Sequence, residues 1–271
     1  MTDRGSPRAP FARRLLRLTG NDELGAYRVL RVADPDGPEP DPGQFAMLAA
    51  GERWGGGEGE RPFLPRAFSI ARHRDGECHF LLEDVGPGTR RLGELREGEG
   101  LWTLGPLGRG FTAPPQERRA ILVGGGVGIA PLAILQDRLA PDATVLLGFR
   151  DGPRAVGAAL LTGAQVATDD GSQGHGGPVT ELLEQELQRD PAAVVYACGP
   201  PAMLEAVRAI CAAGATPAQL ALEAGMACGF GACFGCVVPR RGGGYLRVCL
   251  DGPVVDAEEL DHVEQHPGAS S

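Results

Sequence analysis

Four cysteines near the end of the chain have the type and spacing of a metal-ligand set. Four residues separate Cys228 from Cys233, two separate Cys233 from Cys236, and twelve lie before Cys249. C-x4-C-x2-C with a distant fourth cysteine is the plant-type spacing for a [2Fe–2S] cluster. An iron–sulfur rhomb needs thiolates converging from several sides, so one loop must wrap around it. Only Gly229, Phe230, Gly231 and Ala232 lie between the first two cysteines. Small residues let the backbone close on the sulfides and aim N–H groups at them. Gly242, Gly243 and Gly244 predict a hairpin turn, with a strand over 245–250 bringing Cys249 back. Four thiolates can also hold structural zinc, although zinc ligands usually come as two short knuckles and here three cluster while one stands apart. Cysteines that are simply buried or disulfide-bonded are the remaining reading.

Three other stretches could receive nucleotides. Gly124, Gly126 and Gly128 follow the apolar run 120–123 and precede a predicted helix from about residue 130. Glycines there let the backbone approach a pyrophosphate, and the helix start offers free N–H groups. Pro131 stands where G-x-G-x-x-G has its third glycine, so a glycine-rich βα turn without a ligand stays open. Cys198, Gly199 and Pro200 end another apolar run, and ligands of parallel sheets bind at the carboxyl ends of strands. Cys198 could therefore face a nicotinamide, or be a small buried residue. Arg66 and Ser69 are placed on one edge of a strand, where an arginine can pair with a phosphate. Gly88 and Thr89 precede a short predicted helix over 90–95; they could receive a phosphate or form an ordinary cap.

The elements that must hold these residues change character along the chain. From about 11 to 107 short alternating strands are separated by Pro, Asp and Gly turns, with a glycine-rich loop over 51–59. That pattern predicts a small antiparallel barrel. After Pro114-Pro115, continuous apolar runs at 120–123, 144–149, 165–168 and 193–198 alternate with helical stretches. Such runs suit parallel strands buried on both faces, hence an α/β nucleotide domain. The predicted boundaries are 1–113, 114–221 and 222–271.

The chain has 271 residues, 42 Gly, 23 Pro and a net charge of −9, which disfavours non-specific nucleic-acid binding and gives no polybasic membrane patch. No apolar run approaches the roughly 18 residues of a membrane span. Arg4, Arg8, Arg13 and Arg14 near the start lack the apolar stretch of a signal peptide. The odd count of seven cysteines then reads as reduced thiols and metal ligands in a cytoplasm. The five histidines are scattered, and no catalytic acid–base residue is assigned.

PRAFSI, GPGT, GPLGRGF, GGGVGIAP, TDDGSQGHGG, ACGPPAM, the cysteine loop and LRVCLDGPVVDAEEL follow one another between about 11 and 260. Together they resemble the ferredoxin reductase-like superfamily, and within it the electron-transfer subunits of class 1B NAD-dependent dihydroorotate dehydrogenases. The resemblance implies an N-terminal β-barrel carrying FAD, a parallel-sheet domain for NAD and a small C-terminal [2Fe–2S] segment. Arg66, Ala67, Phe68 and Ser69 match the Arg-x-x-Ser flavin motif; Leu81, Leu82 and Glu83 match a strand contacting FAD; Gly88 and Thr89 match its phosphate turn. That family often reads Arg-Pro-Ile-Ser at the first station and a basic residue where Glu83 stands. An FMN-containing dihydroorotate dehydrogenase catalytic subunit is the implied partner, in a heterotetramer with two copies of each subunit, serving pyrimidine biosynthesis.

The three sites need one another. A nicotinamide exchanges two electrons as a hydride and a [2Fe–2S] cluster takes one at a time, so a flavin must stand between them. Phe230 and Phe234 would either dock the partner or shield the cluster. Alternative readings are a flavin subunit of a sulfhydrogenase or of a ferredoxin:NAD(P) oxidoreductase, and a zinc-bound interaction module without redox function. Asp169 and Asp170 at a strand end favour NAD over NADP.

Overall fold

The computed structural model describes residues 13–55, 62–139 and 143–263. Arg4, Arg8 and the later part of the glycine-rich loop lie outside the described residues. Among those described, six antiparallel strands close a barrel: β1 (Arg13–Leu24), β2 (Tyr27–Ala33), β3 (Phe45–Ala50), β4 (Arg66–Arg74), β5 (Glu77–Glu83) and β6 (Gly100–Leu107), in the order β1-β2-β5-β4-β3-β6. Period-two alternation fills it: Leu30, Val32, Leu48, Ile70, Phe80 and Leu82 meet inside. Helix α1 (Pro87–Gly93) closes one end with Leu92. It starts earlier than the sequence pattern suggested because Pro87 suits a first helical turn.

Strand β3 is buried at every position. Ala46, Leu48 and Ala50 face the barrel interior, whereas Phe45 and Met47 belong to a second core outside it. The outer face of β3 is therefore roofed by another part of the chain.

The second layer is a seven-stranded sheet formed by β7 (Arg119–Gly125), β8 (Thr144–Phe149), β9 (Gln165–Thr168), β10 (His175–Gly176), β11 (Ala193–Cys198), β12 (Ala218–Ala221) and, after a separate hairpin of β13 (Val237–Pro239) with β14 (Tyr245–Arg247), β15 (Val254–Asp256). Its order is β10-β9-β8-β7-β11-β12-β15. Helices α2 (Ala130–Leu139), α3 (Gly152–Ala155), α4 (Val179–Arg189) and α5 (Pro201–Ala213) complete this part. Ile121 and Val123 of β7 pack toward α4 and α5, while Ala120 and Leu122 pack toward α2. Burial on both faces explains the uninterrupted apolar runs.

β12 and β15 had no counterpart in the sequence reading. β15 runs antiparallel to β12, pairing Ala221 with Val254 and Gln219 with Asp256, so the chain returns from the cysteine loop into the sheet edge. The strand expected over 245–250 stops at Arg247, because Leu250 and Asp251 N–H groups turn back to the Arg247 carbonyl.

Barrel and sheet are fastened by arginines. Arg154 bonds Glu83 at 2.8 Å, Arg138 bonds Asp41 at 3.1 Å, and Arg72 pairs with Asp137 while donating to the Leu160 carbonyl at 2.7 Å. Arg109 N–H donates to the Gly252 carbonyl at 2.5 Å, tying the barrel exit to the segment after the cysteines.

Candidate functional site

The cysteine loop lies between β12 and β13, with its fourth cysteine just past β14. Gly229 and Gly231 hold φ of 80° and 84°, and Phe234 holds 57°, so the loop bends through the left-handed region at three points. These bends turn backbone N–H groups toward sulfur. Gly231 N–H points at Cys249 Sγ at 3.1 Å, Cys249 N–H at Cys236 Sγ at 3.4 Å, and Gly235 N–H at Cys233 Sγ at 3.5 Å.

Burial raises the Cys228 thiol, but the N–H groups of Phe230, Cys233 and Ala232 and the Cys233 side chain outweigh it, lowering Cys228 to about 7. Cys236 falls to about 6, first through its bond with Cys249 and against the effect of burial. Cys249 is raised in turn, chiefly because it holds the proton of that bond.

Cys233 lies close enough to Cys228, and Cys249 to Cys236, to shift its partner's thiol, and Cys228 acts on Cys249 as well. Among the described residues, no three or more His, Cys, Asp or Glu side chains gather as one metal centre. A single zinc needs all four sulfurs around one point, whereas a [2Fe–2S] rhomb presents two irons, each taking two thiolates. The donor set fits such a cluster in its chemistry: four thiols on one segment, with backbone N–H groups aimed at three of the sulfurs.

The loop has an inner and an outer side. Cys236 and Cys249 are buried in the core beside Met47 and Leu107, while Cys233 is exposed. Phe230 and Phe234 in the loop and Tyr245 on the following hairpin are 40%, 61% and 72% exposed. Arg247 lies over the Phe234 ring at 5.3 Å and pairs with Asp251. An exposed aromatic patch of this kind suits contact with another protein.

The flavin-motif residues line β4. Arg66 pairs across the sheet with Leu48, and Ser69 with Phe45. Leu48 faces the barrel core and Phe45 the outside, so Arg66 and Ser69 point to opposite faces of the strand rather than sharing one edge. Arg66 turns to the barrel end. Its guanidinium sits against Gly88, where a Cβ would come within 2.7 Å of Nε, and its Cζ is 5.9 Å from the Trp54 ring. Arg66, Gly88 and Thr89 are therefore together. The Thr89 hydroxyl is occupied locally, accepting from the Val85 and Gly86 N–H groups at 2.9 and 3.0 Å. Ala67 and Ser69 lie on the outer face, and Ala67 is open to solvent. Phe68 packs against the barrel core. On the neighbouring strand, Leu81 and Leu82 are buried and Glu83 is held by Arg154, so these three offer backbone more than side chain.

At the sheet, Gly124 through Gly128 turn into a 3-10 stretch, Gly126–Ile129, before α2. A Cβ at Gly124 would meet Ile129, Leu132 and Leu147, and one at Gly128 would stand 2.6 Å from the Cys198 carbonyl oxygen. Chain packing already demands glycine at both positions. Gly126, with φ of 54°, has open space above it. Gly199 lies on this turn and Pro200 caps α5, so Gly126, Gly128, Cys198, Gly199 and Pro200 come together at the carboxyl ends of β7 and β11. Cys198 itself is buried and its thiol is pushed up by burial and then by the Glu223 carboxylate. Asp169 and Asp170 follow β9, with Asp170 held low by the Ser172 hydroxyl.

One functional candidate escaped the sequence reading. Met47 pairs with Ala67 across β3 and β4, and a Cβ at Gly229 would stand 2.4 Å from Met47 Cγ and 2.8 Å from Sδ. The cysteine loop therefore rests directly on Met47, next to the flavin motif. A methionine in an apolar strand reads only as core, so no sequence signal marked it.

Residues 223–261 match the family model described as the iron-sulfur cluster binding domain of dihydroorotate dehydrogenase B. The chain is 39% identical to the dihydroorotate dehydrogenase B (NAD(+)) electron transfer subunit of Geobacillus thermodenitrificans (strain NG80-2), over 81% of this chain and 86% of that protein. It is 38% identical to the same subunit of Caldanaerobacter subterraneus subsp. tengcongensis, over 83% of this chain and 88% of that protein. Among solved structures it is similar to a chain of an NADH-dependent reduced ferredoxin-NADP oxidoreductase, with a TM-score of 0.76, 25% identity and coverage of 92% and 90%. A ferredoxin NADP+ reductase from Neisseria gonorrhoeae with bound FAD and NADP shares the fold, with a TM-score of 0.59 at 16% identity, over 74% of this chain and 91% of that one.

Proposed function

The chain belongs to the family of dihydroorotate dehydrogenase B electron-transfer subunits, and from that premise we propose that it links a dihydroorotate-oxidising catalytic subunit to NAD+ in pyrimidine biosynthesis. FAD and [2Fe–2S], when bound, let electrons that arrive singly leave as a pair to the nicotinamide. The chain's residues do the positioning. Arg66 faces the flavin diphosphate at the barrel end, with Gly88 giving it room and Thr89 holding the turn. Ala67 and Ser69 present the outer face of β4 to the ring system, Leu81 and Glu83 continue that surface on β5, and Leu82, facing the barrel core, offers only its backbone. The turn at Gly124, Gly126 and Gly128 receives the dinucleotide phosphates, and Cys198, Gly199 and Pro200 floor the nicotinamide pocket. Cys228, Cys233, Cys236 and Cys249 ligate the cluster.

The division 1–113, 114–221 and 222–271 assigns barrel, nucleotide domain and cluster segment. The partner carries FMN and meets the aromatic patch of Phe230, Phe234 and Tyr245, in an assembly of two copies of each subunit. Among the described residues no helix is long and apolar enough to cross a membrane, and a cytoplasmic enzyme is the reading we adopt.

The observation that carries this is a segment of four thiols, with N–H groups aimed at its sulfurs, seated on the strand next to the flavin motif. Purified protein should contain about one FAD, two irons and two acid-labile sulfides per chain, and co-purify with a dihydroorotate-oxidising subunit. Zinc in place of iron, or a colourless protein, would reject it. Capture of a ferredoxin-reducing partner instead would favour the oxidoreductase to which the fold is also similar.

A further inference from the structure

We propose that Met47 is the packed bridge between cluster and flavin, fixing the gap an electron must cross. The inference rests on the function proposed above and adds a residue to it.

The two outer strips of β3 and β4 lie side by side. Their register pairs Phe45 with Ser69 and Met47 with Ala67, and paired residues project from the same face about 5 Å apart. One strip, at Ala67, is open to solvent. The other is covered: Met47 is 2% exposed and shares a core with Leu107, Cys236 and Cys249. The cover is the cysteine loop itself. Gly229 follows Cys228 directly, and its backbone approaches Met47 so closely that a Cβ would overlap Cγ and Sδ. The path from ligand to flavin surface is thus Cys228, the Gly229 backbone, the Met47 side chain and Ala67. Its first step is the close approach of Gly229 to Met47, and its second is the cross-strand pairing of Met47 with Ala67. Met47 takes no proton and no charge. With both groups held, the cluster bound by the four cysteines would supply FAD with one electron at a time, two for each NAD+ reduced by a hydride.

Interiors packed at this density forfeit contact when a side chain is shortened. Met47→Ala would open the space under Gly229 and loosen the loop, whereas Met47→Leu keeps the volume. The test uses the full chain loaded with FAD and cluster and reduced by NADH in a stopped-flow instrument. Flavin bleaching reports hydride arrival, and the cluster band in visible circular dichroism reports the following one-electron step. We expect Met47→Ala to keep its FAD and iron and bleach at the wild-type rate, while cluster reduction slows about tenfold, since misplacing reacting groups by ~1 Å can cost more than that. Met47→Leu should stay near wild type. A fully loaded Met47→Ala protein with an unchanged second step overturns the bridge. A second readout needs no kinetics. Gly229→Ala should lose iron, and adding Met47→Ala should restore part of it by removing the overlap; absence of any restoration also overturns the proposal. A wild-type chain that holds no FAD or no iron would sink the functional reading instead.

Discussion

Cys198 and Cys236 are equally hidden, each 2% exposed, yet their thiols move in opposite directions. Cys198 ends a strand in an apolar core and is raised well above the ordinary thiol range by burial. Cys78 and Cys211 behave alike, each pushed up to about 12 by burial. Cys236 sits beside a second thiol with an N–H group aimed at its sulfur, and falls to about 6. Burial therefore does not decide whether a cysteine can be a ligand; the local supply of donors does.

The widest separation between the two sets should come from deleting one member of each. Cys236→Ala should remove essentially all iron and sulfide while FAD remains, checked by metal analysis and absorption. Retention of a full cluster would break the comparison. Alkylation offers a direct contrast. After chelator treatment at neutral pH, mass spectrometry should find label on Cys228, Cys233 and Cys236 but not on Cys78, Cys198 or Cys211. Label on Cys198 at a similar rate would erase the distinction. Phe234→Glu, on the open side of the loop, should weaken partner binding by about tenfold without loss of iron; an unchanged gel-filtration profile of the complex would remove Phe234 from the docking patch. The smallest effect is expected at the core. Cys198→Ala should cost about 1 kcal/mol, lowering Tm by roughly 2–4 °C with cluster content unaltered.

Much of the architecture is legible in the sequence. The runs at 120–123 and 193–198 announced parallel strands because both faces of that sheet are covered, and the cysteine spacing pointed to the segment that the iron-sulfur family model matches. What escaped is set by tertiary pairing. β15 has three residues and no alternation to detect; it is a strand only because β12 offers an edge. The return strand ended early because Asp251 folds back onto the Arg247 N–H at 2.9 Å. Arg66 and Ser69 match a motif by spacing, but spacing of three along a strand places them on opposite faces. Met47 became visible only when residues far along the chain covered it. The arginine pairing of Glu83 is similar: a carboxylate where a base is common is answered by Arg154 from the other layer.

The antiparallel pairing of β15 with β12 has a practical consequence for anyone engineering this chain. The redox loop is stitched into the nucleotide sheet at both ends and serves as its hem. Trimming the chain after Ala221, or transplanting the loop as a cassette, would leave a raw border of unpaired amides on which a second molecule can add a strand. Silencing electron flow by truncation would thus invite aggregation, and single-cysteine replacement is the safer cut.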